Sequence, residues 1–312
     1  MTIFWKSKIL LAKIEASYGT DAAPTGADNA ILATNVSLSP MEGQDVSREL
    51  ELPWLAAQAT IPAGLFSRLT FRVELVGSGT AGVAPAWGVL LRMCAASQTV
   101  VTDTSVTYRP VTDSHESGTI HFWVGPTRYV LRGTRGTAVI RLNAQGIAVL
   151  EFTFTGLFAQ PSDVARPTPD LTAFLRPKIV SSANTPVFTV DAIPLVMRNY
   201  AADLGNDVQT RFLVGAENVL IVDRPRELVS FQVEAVPLAT YDPYAAALDE
   251  DEFLEIEIQH EDTAGRTITL THPATQPQRP GGLANQQNIT EWPLRHVPQP
   301  VNGNDQWALV LT

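Results

Sequence analysis

Apolar and polar residues alternate with a period of two along much of the chain, the pattern of strands with one buried face. In Leu69–Val76, the residues Leu69, Phe71, Val73 and Leu75 fall on one side and Thr70, Arg72 and Glu74 on the other. The same alternation returns at Ile120, Phe122 and Val124, and at Leu150, Phe152 and Phe154. It appears again at Leu254, Ile256 and Ile258, where Glu255 and Glu257 form the opposite face. Breaks at Gly133–Gly136 and Ala264–Arg266 read as hairpin turns between β-rich runs. Helical periodicity is confined to Pro85–Ala96 and Pro243–Asp251, each with proline near the first helical position, where its missing N–H is harmless. The pattern predicts a mainly β protein with one short helix in each half.

Those elements recur in one order. Phe71–Glu74 lines up with Phe231–Glu234, and Pro85–Leu91 with Pro243–Leu248. An alternating hairpin follows in each half, at Thr119–Leu142 and Phe253–Thr271, and then a strand holding Glu151-Phe152 or Glu291-Trp292. The first copy carries an extra insertion, polar and rich in Thr and Ser, within Cys94–Gly118. Gln160–Pro177 holds four prolines and reads as the linker. The expected layout is an extended arm at 1–30, a first module at 31–160, a linker at 161–183 and a second module at 184–312.

Long stretches without clear periodicity, Pro40–Phe66 and Asn199–Arg226, precede the central strand of each copy. They carry apolar groups that a free loop cannot cover, Pro53, Trp54, Leu55 and Ile61 in the first, Phe212, Leu213, Leu220 and Ile221 in the second. These residues are candidates for contacts between subunits. The competing reading folds both stretches back as extra strands on their own modules.

Composition narrows the function classes. The chain has 312 residues, 45% of them hydrophobic and 17% charged, which suits a folded protein with a sizeable core and not a disordered one. Its 22 basic and 32 acidic residues give a formal charge of −10 with no basic patch, which argues against tight nucleic-acid binding. A lone cysteine, Cys94, cannot form an intrachain disulfide; it fits a reducing cytoplasm and reads as a small core residue. The apolar run near the N-terminus is broken by Lys13 and Glu15, too early for an export signal, and no run approaches the ~18 residues of a membrane span. No membrane partner is expected.

No constellation of catalytic residues stands out. Gly77-Ser-Gly79-Thr-Ala-Gly82 matches a dinucleotide-binding pattern, yet that pattern works only within a parallel βαβ unit, and the strands here are joined by hairpins. A flexible strand-to-helix turn is the better account. His115, His121, His260, His272 and His296 are scattered, and the run Asp249–Glu252 lacks the glycine and spacing of a calcium loop. The expectation is a protein that is not an enzyme, with no catalytic residues, cofactor or metal.

Lys13–Gly26 (KIEASYGTDAAPTG), Leu38–Gly43 (LSPMEG), Arg48 and Phe71–Gly88 together resemble the tail tube, or major tail, proteins of long-tailed bacteriophages and prophages. Asn285–Pro293 and Gly303–Trp307 extend the resemblance to the other end, while 95–118 and 160–183 add little. It implies a duplicated tail-tube module, each copy a β-sandwich or half-barrel with a short flanking helix, whose inner hairpins join those of neighbours into a β-barrel lining a channel. Six modules make a ring, and rings stack into the tail. With two modules per chain the ring becomes a homotrimer with pseudo-sixfold symmetry; otherwise six chains each use one copy and display the other outside. The implied role is a virion structural protein forming the channel for DNA ejection, assembled in the host cytoplasm. Its implied partners are itself, the tail tip or baseplate, terminator and tape measure proteins, and DNA that passes without specific binding. A capsid decoration protein or a fibre or adhesin domain is the alternative. Acidic residues facing the channel would keep DNA mobile, and Glu151, Glu255, Glu257 and Glu291 are the candidates, pointing either into the lumen or to the outer surface.

Overall fold

The computed structural model of the chain describes residues 2–312, and among these the protein is mainly β, with twenty strands and two short helices. The first half runs through β1 (Lys8–Ile14), β2 (Thr34–Ser47), β3 (Thr60–Glu74), α1 (Gly88–Arg92), β4 (Ala96–Val101), β5 (Ser105–Pro110), β6 (Gly118–Val124), β7 (Thr127–Asn143), β8 (Val149–Leu157) and the two-residue β9 (Ser162–Asp163). The second comprises β10 (Val187–Val190), β11 (Ile193–Pro194), β12 (Met197–Asp203), β13 (Asp207–Leu213), β14 (Ala216–Asp223), β15 (Leu228–Glu234), α2 (Pro243–Leu248), β16 (Leu254–His260), β17 (Ile268–Pro277), β18 (Ala284–Gln286), β19 (Ile289–Pro298) and β20 (Ala308–Leu311).

All pairings are antiparallel. In the first half β2 pairs with β3, β3 with β8, β8 with β7, β7 with β6 and β6 with β1. In the second half β12 pairs with β15, β15 with β19, β19 with β17, β17 with β16 and β16 with β10. A helix stands between β3 and β6, and another between β15 and β16. The polar insertion of the first half forms the hairpin β4–β5, whose outer strand pairs with β20, so it straps the first half to the end of the chain.

Alternation puts Phe71 beside Phe152 on the buried face of β3 and β8, with ring centroids 5.7 Å apart, and Phe154 stacks 5.5 Å from Phe152. Trp87, at the start of α1, is fully buried and donates its indole N–H to the Val76 carbonyl at 2.8 Å. In the second half Phe231 of β15 meets Phe188 of β10 edge-on at 5.5 Å. The two sets belong to one continuous apolar cluster that spans both halves.

Three expectations from the sequence need correction. Gly133–Gly136 is not a hairpin turn: β7 runs straight through it, with a bulge between Arg132 and Arg135. Gly133 takes φ of +56°, and a Cβ on Gly136 would lie 2.5 Å from the Thr153 carbonyl, so the glycines bend one strand where it leaves β6 and continues beside β8. The stretches Pro40–Phe66 and Asn199–Arg226 are largely extended strands, forming the hairpins β2–β3 and β13–β14 and the pair β12–β15. Helices are also shorter than the pattern predicts. Pro85 sits in a turn, where Gly88 N–H donates to its carbonyl, and α2 ends at Leu248. The α2 N-terminus is capped by Asp242, which accepts from Tyr244 and Ala245 N–H.

Buried polar groups of the second half couple stability to pH. His272 Nε2 lies 2.8 Å from the Tyr200 hydroxyl, and His296 Nδ1 lies 2.9 Å from Thr275 Oγ1. Burial pushes both histidines down to about 4. Unfolded, they titrate near the ordinary 6.5, so as pH falls from 6.5 to about 4 the unfolded chain takes up protons that the folded chain refuses, and stability declines. Glu227 opposes this, because burial raises its carboxyl to about 7 and the folded state keeps a proton that the unfolded state releases above 4.5. We expect urea-denaturation stability to fall between pH 6.5 and 4, and more steeply in Glu227→Gln, which lacks the offsetting proton; an unchanged slope in that variant would refute this balance.

Candidate assembly surface

At its end β7 carries strands on both edges. Val139–Arg141 pair with Val149–Glu151 of β8, and Val139–Asn143 pair with Asn199–Asp203 of β12 on the other side. This seam fuses the halves into one run, β2-β3-β8-β7-β12-β15-β19. Ile140 stands opposite Ala202 and Leu142 opposite Tyr200, all buried, so the core face is continuous across the seam. Residues of the other parity, such as Arg72, Glu151, Arg141 and Gln232, form a second, largely polar face that also carries Val139, Val149, Ala201 and Leu228.

Two of the four carboxylates singled out from sequence lie on that face, and neither is free. Glu151 sits 2.5 Å from Arg72 Nη2 and accepts from Arg141 Nε at 2.6 Å. Glu291 accepts from the Arg198 guanidinium and, at 2.6 Å, from Gln232 Nε2. The Arg198 hydrogen bonds hold the Glu291 carboxyl below the usual carboxylate range. The wall they build is one of paired charges. Glu255 and Glu257 lie elsewhere, on β16, whose neighbour β10 packs Phe188 against Phe231 of β15. With Ile256 and Ile258 turned into the core, Glu255 and Glu257 point away from the polar face, on the far side of the apolar layer. The four candidates therefore divide, two to each side of the protein.

The seam has counterparts with no partner. Ala284 stands opposite Glu291 as Val139 stands opposite Glu151, so Ala284–Gln286 of β18 occupies the place of Val139–Arg141. Among the described residues β18 pairs only with β19, leaving its far edge open. In the same way Ser37–Ser39 of β2 takes the place of Ala201–Asp203 of β12, and β2 pairs only with β3. A strand edge with unpaired N–H and C=O groups is a template for another strand.

The two apolar stretches also part company. Pro53, Trp54, Leu55 and Ile61 are exposed at the free end of the β2–β3 hairpin. Phe212 and Leu213 lie near the tip of β13–β14, where Phe212 approaches Gly64 of β3, while Leu220 is half-buried and Ile221 buried. This second hairpin lies across the first half. Val219 N–H donates to the Tyr18 hydroxyl at 2.5 Å, and Arg135 Nη1 donates to the Val219 carbonyl at 2.8 Å. At its base, Asn206 Nδ2 donates to the carbonyls of Cys94 and Gly136 at 2.8 and 3.0 Å. Arg224 Nη2 donates to the carbonyls of Ala95 and Val111 at 3.0 and 2.7 Å.

Sequence reasoning missed Asn206, Arg224 and Arg135, because each is a lone polar residue whose partners are carbonyls remote in the chain. The glycine-rich Gly77–Gly82 also acquires a role: Gly79 N–H donates to the Gly265 carbonyl at 2.9 Å, and a Cβ on Gly77 would meet that carbonyl at 2.3 Å. It is a site of close backbone approach between the halves. Among the described residues no cluster of three or more metal-ligating side chains occurs, and no helix is long and apolar enough to cross a membrane. The chain matches no protein-family model and no curated protein.

Replacing Asn206 with Ala strips two buried carbonyls of their donor, which costs about 1–3 kcal/mol and should speed amide exchange across Asp207–Asp223. Hydrogen exchange read by mass spectrometry checks this; wild-type protection throughout that hairpin would refute the anchoring role.

Proposed function

We infer that the chain is a structural subunit of a bacteriophage tail tube, three copies closing into a ring of six similar units around a channel for DNA ejection. The observation that carries this reading is the pair of open edges, β2 and β18, standing where β12 and β7 meet inside the chain. A junction of the β7–β12 kind repeated between copies joins β18 of one to β2 of the next. Such a head-to-tail contact closes into a ring when the rotation per step divides a full turn. The matching order of pairings in the two halves supports the duplicated module, and the resemblance of Lys13–Gly26 and Phe71–Gly88 to tail tube proteins gives the assembly its name.

In this reading the largely polar face lines the channel. Paired charges such as Arg72–Glu151 and Arg198–Glu291 offer phosphates little net attraction, and the formal charge of −10 per chain adds repulsion. Glu255 and Glu257 belong to the outside. Stacked rings build the tail of the virion, assembled in the host cytoplasm, with tail tip or baseplate, terminator and tape measure proteins at the tube's ends and within it.

Negative-stain microscopy of the purified protein should show rings or tubes with a central hole, and native mass spectrometry a particle of three chains of 33.8 kDa each. A monomer at high concentration would sink the reading. The edge itself is tested by Asn285→Pro. Gln286 and Ile289 flank a two-residue turn, so the main-chain groups of Asn285 face away from β19, and proline removes the outward donor while sparing the β18–β19 ladder, at the loss of one exposed turn bond from Asn288 N–H to Asn285 Oδ1. Rings should be lost with thermal unfolding almost unchanged.

Wall charge gives a separate test in particles. Glu234→Lys, on the polar face, should slow DNA ejection in low salt and recover partly at high salt. Glu257→Lys should eject at the wild-type rate. The reverse outcome would assign the channel to the other face.

A further inference from the structure

The β13–β14 hairpin covers particular places on the first half: the segment after α1, through Asn206 and Arg224, and the bend of β7, through Asn206 and Arg135. Val219 is fully buried there. The same places on the second half are bare. Leu248 at the end of α2 is 83% exposed and Phe253 just beyond it 50%, and Leu283, between β17 and β18 where the β7 bend has its counterpart, is 65% exposed. The corresponding hairpin of the first half is β2–β3, whose second strand runs on into the central strand at Phe71; it meets the second half where Phe212 approaches Gly64, and its tip, residues 48–60, is exposed throughout. Its apolar tip is correspondingly naked, with Trp54 66% exposed.

We propose that the β2–β3 arm of one copy lies across the second half of a neighbouring copy, with Trp54 and Leu55 covering Leu248, Phe253 and Leu283. The occupant of this patch is a second copy of the chain, because the chain already shows the equivalent contact once, between its own halves, and leaves both partners of the second such contact uncovered. The proposal rests on the ring reading and deepens it. The open edges β2 and β18 join the sheet, while the arm reaches over the joint and removes its apolar flank from water. Large aromatic side chains at the centre of such contacts are the ones whose loss weakens association most.

The test places the photocrosslinker benzoylphenylalanine at position 54 of the full chain and mixes ordinary with ¹⁵N-labelled protein, so that bonds between copies are told apart by mass. Crosslinks between copies should fall within residues 244–253 or 278–284. Rings whose crosslinks map within one chain, or to a neighbour's first half, overturn the arm contact and leave the ring reading standing; a chain that never assembles overturns both. The double variant Leu248→Ser and Phe253→Ser, at exposed positions, should keep the wild-type unfolding temperature while raising the concentration needed for half-assembly roughly tenfold or more. Assembly at the wild-type concentration would also overturn the contact.

Discussion

Val139–Asn143 pair with β12, and the first three of these residues, Val139–Arg141, also pair with β8 on the other side; the rest of the fold depends on that pairing being in the right parity. Because side chains alternate, a slip of one residue would turn Ile140 and Leu142 to solvent and drive Val139 and Arg141 into the apolar layer. The bulge between Arg132 and Arg135 sets the parity, since it inserts the irregularity that lets β7 serve β6 first and the fused sheet afterwards. Phe71, Phe152, Ile140, Tyr200 and Phe231 then share one core although they come from both halves. The two halves of the chain therefore do not stabilise independent cores but extend a single one.

Polar groups close the remaining gaps in that arrangement. Glu15, buried near the N-terminus, accepts from Ser117 Oγ, Thr119 Oγ1 and the Gly133 N–H, and so holds the segment after β1 against the bend of β7. Asn206 and Arg224 do the same at the base of β13–β14 by supplying donors to carbonyls outside the strand ladders. Glu261 forms ion pairs with Arg266 and Lys178 beside the turn that packs on Gly77–Gly79. A buried donor or acceptor left without a partner is costly, so each of these contacts fixes the place of a loop that apolar packing alone would leave free.

In the assembly proposed above, the unpaired ends of this construction become joints. A sheet fused across its own middle ends in two edges of the same kind as the strands it joined, and a hairpin already covering one half leaves its counterpart with nothing to cover. Under that proposal the incomplete features, β18, the outer edge of β2 and the β2–β3 tip, are what remains when a joint repeated between copies is made once within the chain. On the largely polar face Glu151 and Glu291 are paired with neighbouring arginines.

What the sequence determined by itself was local: the alternation at Leu69–Val76 and Leu254–Ile258, the start of α2 at Pro243, the turn at Ala264–Arg266 and the order of the elements all follow from periodicity and turn chemistry acting over a few residues. Gly133–Gly136 marks the limit. Glycines permit a turn and a strand bend equally, and only the Phe154 ring and Thr153 carbonyl packed against Gly136 select the bend. The division of Glu151 and Glu291 from Glu255 and Glu257 was likewise beyond reach, since alternation says which residues share a strand face and not which sheet lies on which side of the core. The pairing of β7 with β12, the anchoring by Asn206 and the exposure of Trp54 were decided by contacts between residues tens to more than a hundred positions apart, which leave no trace in local spacing.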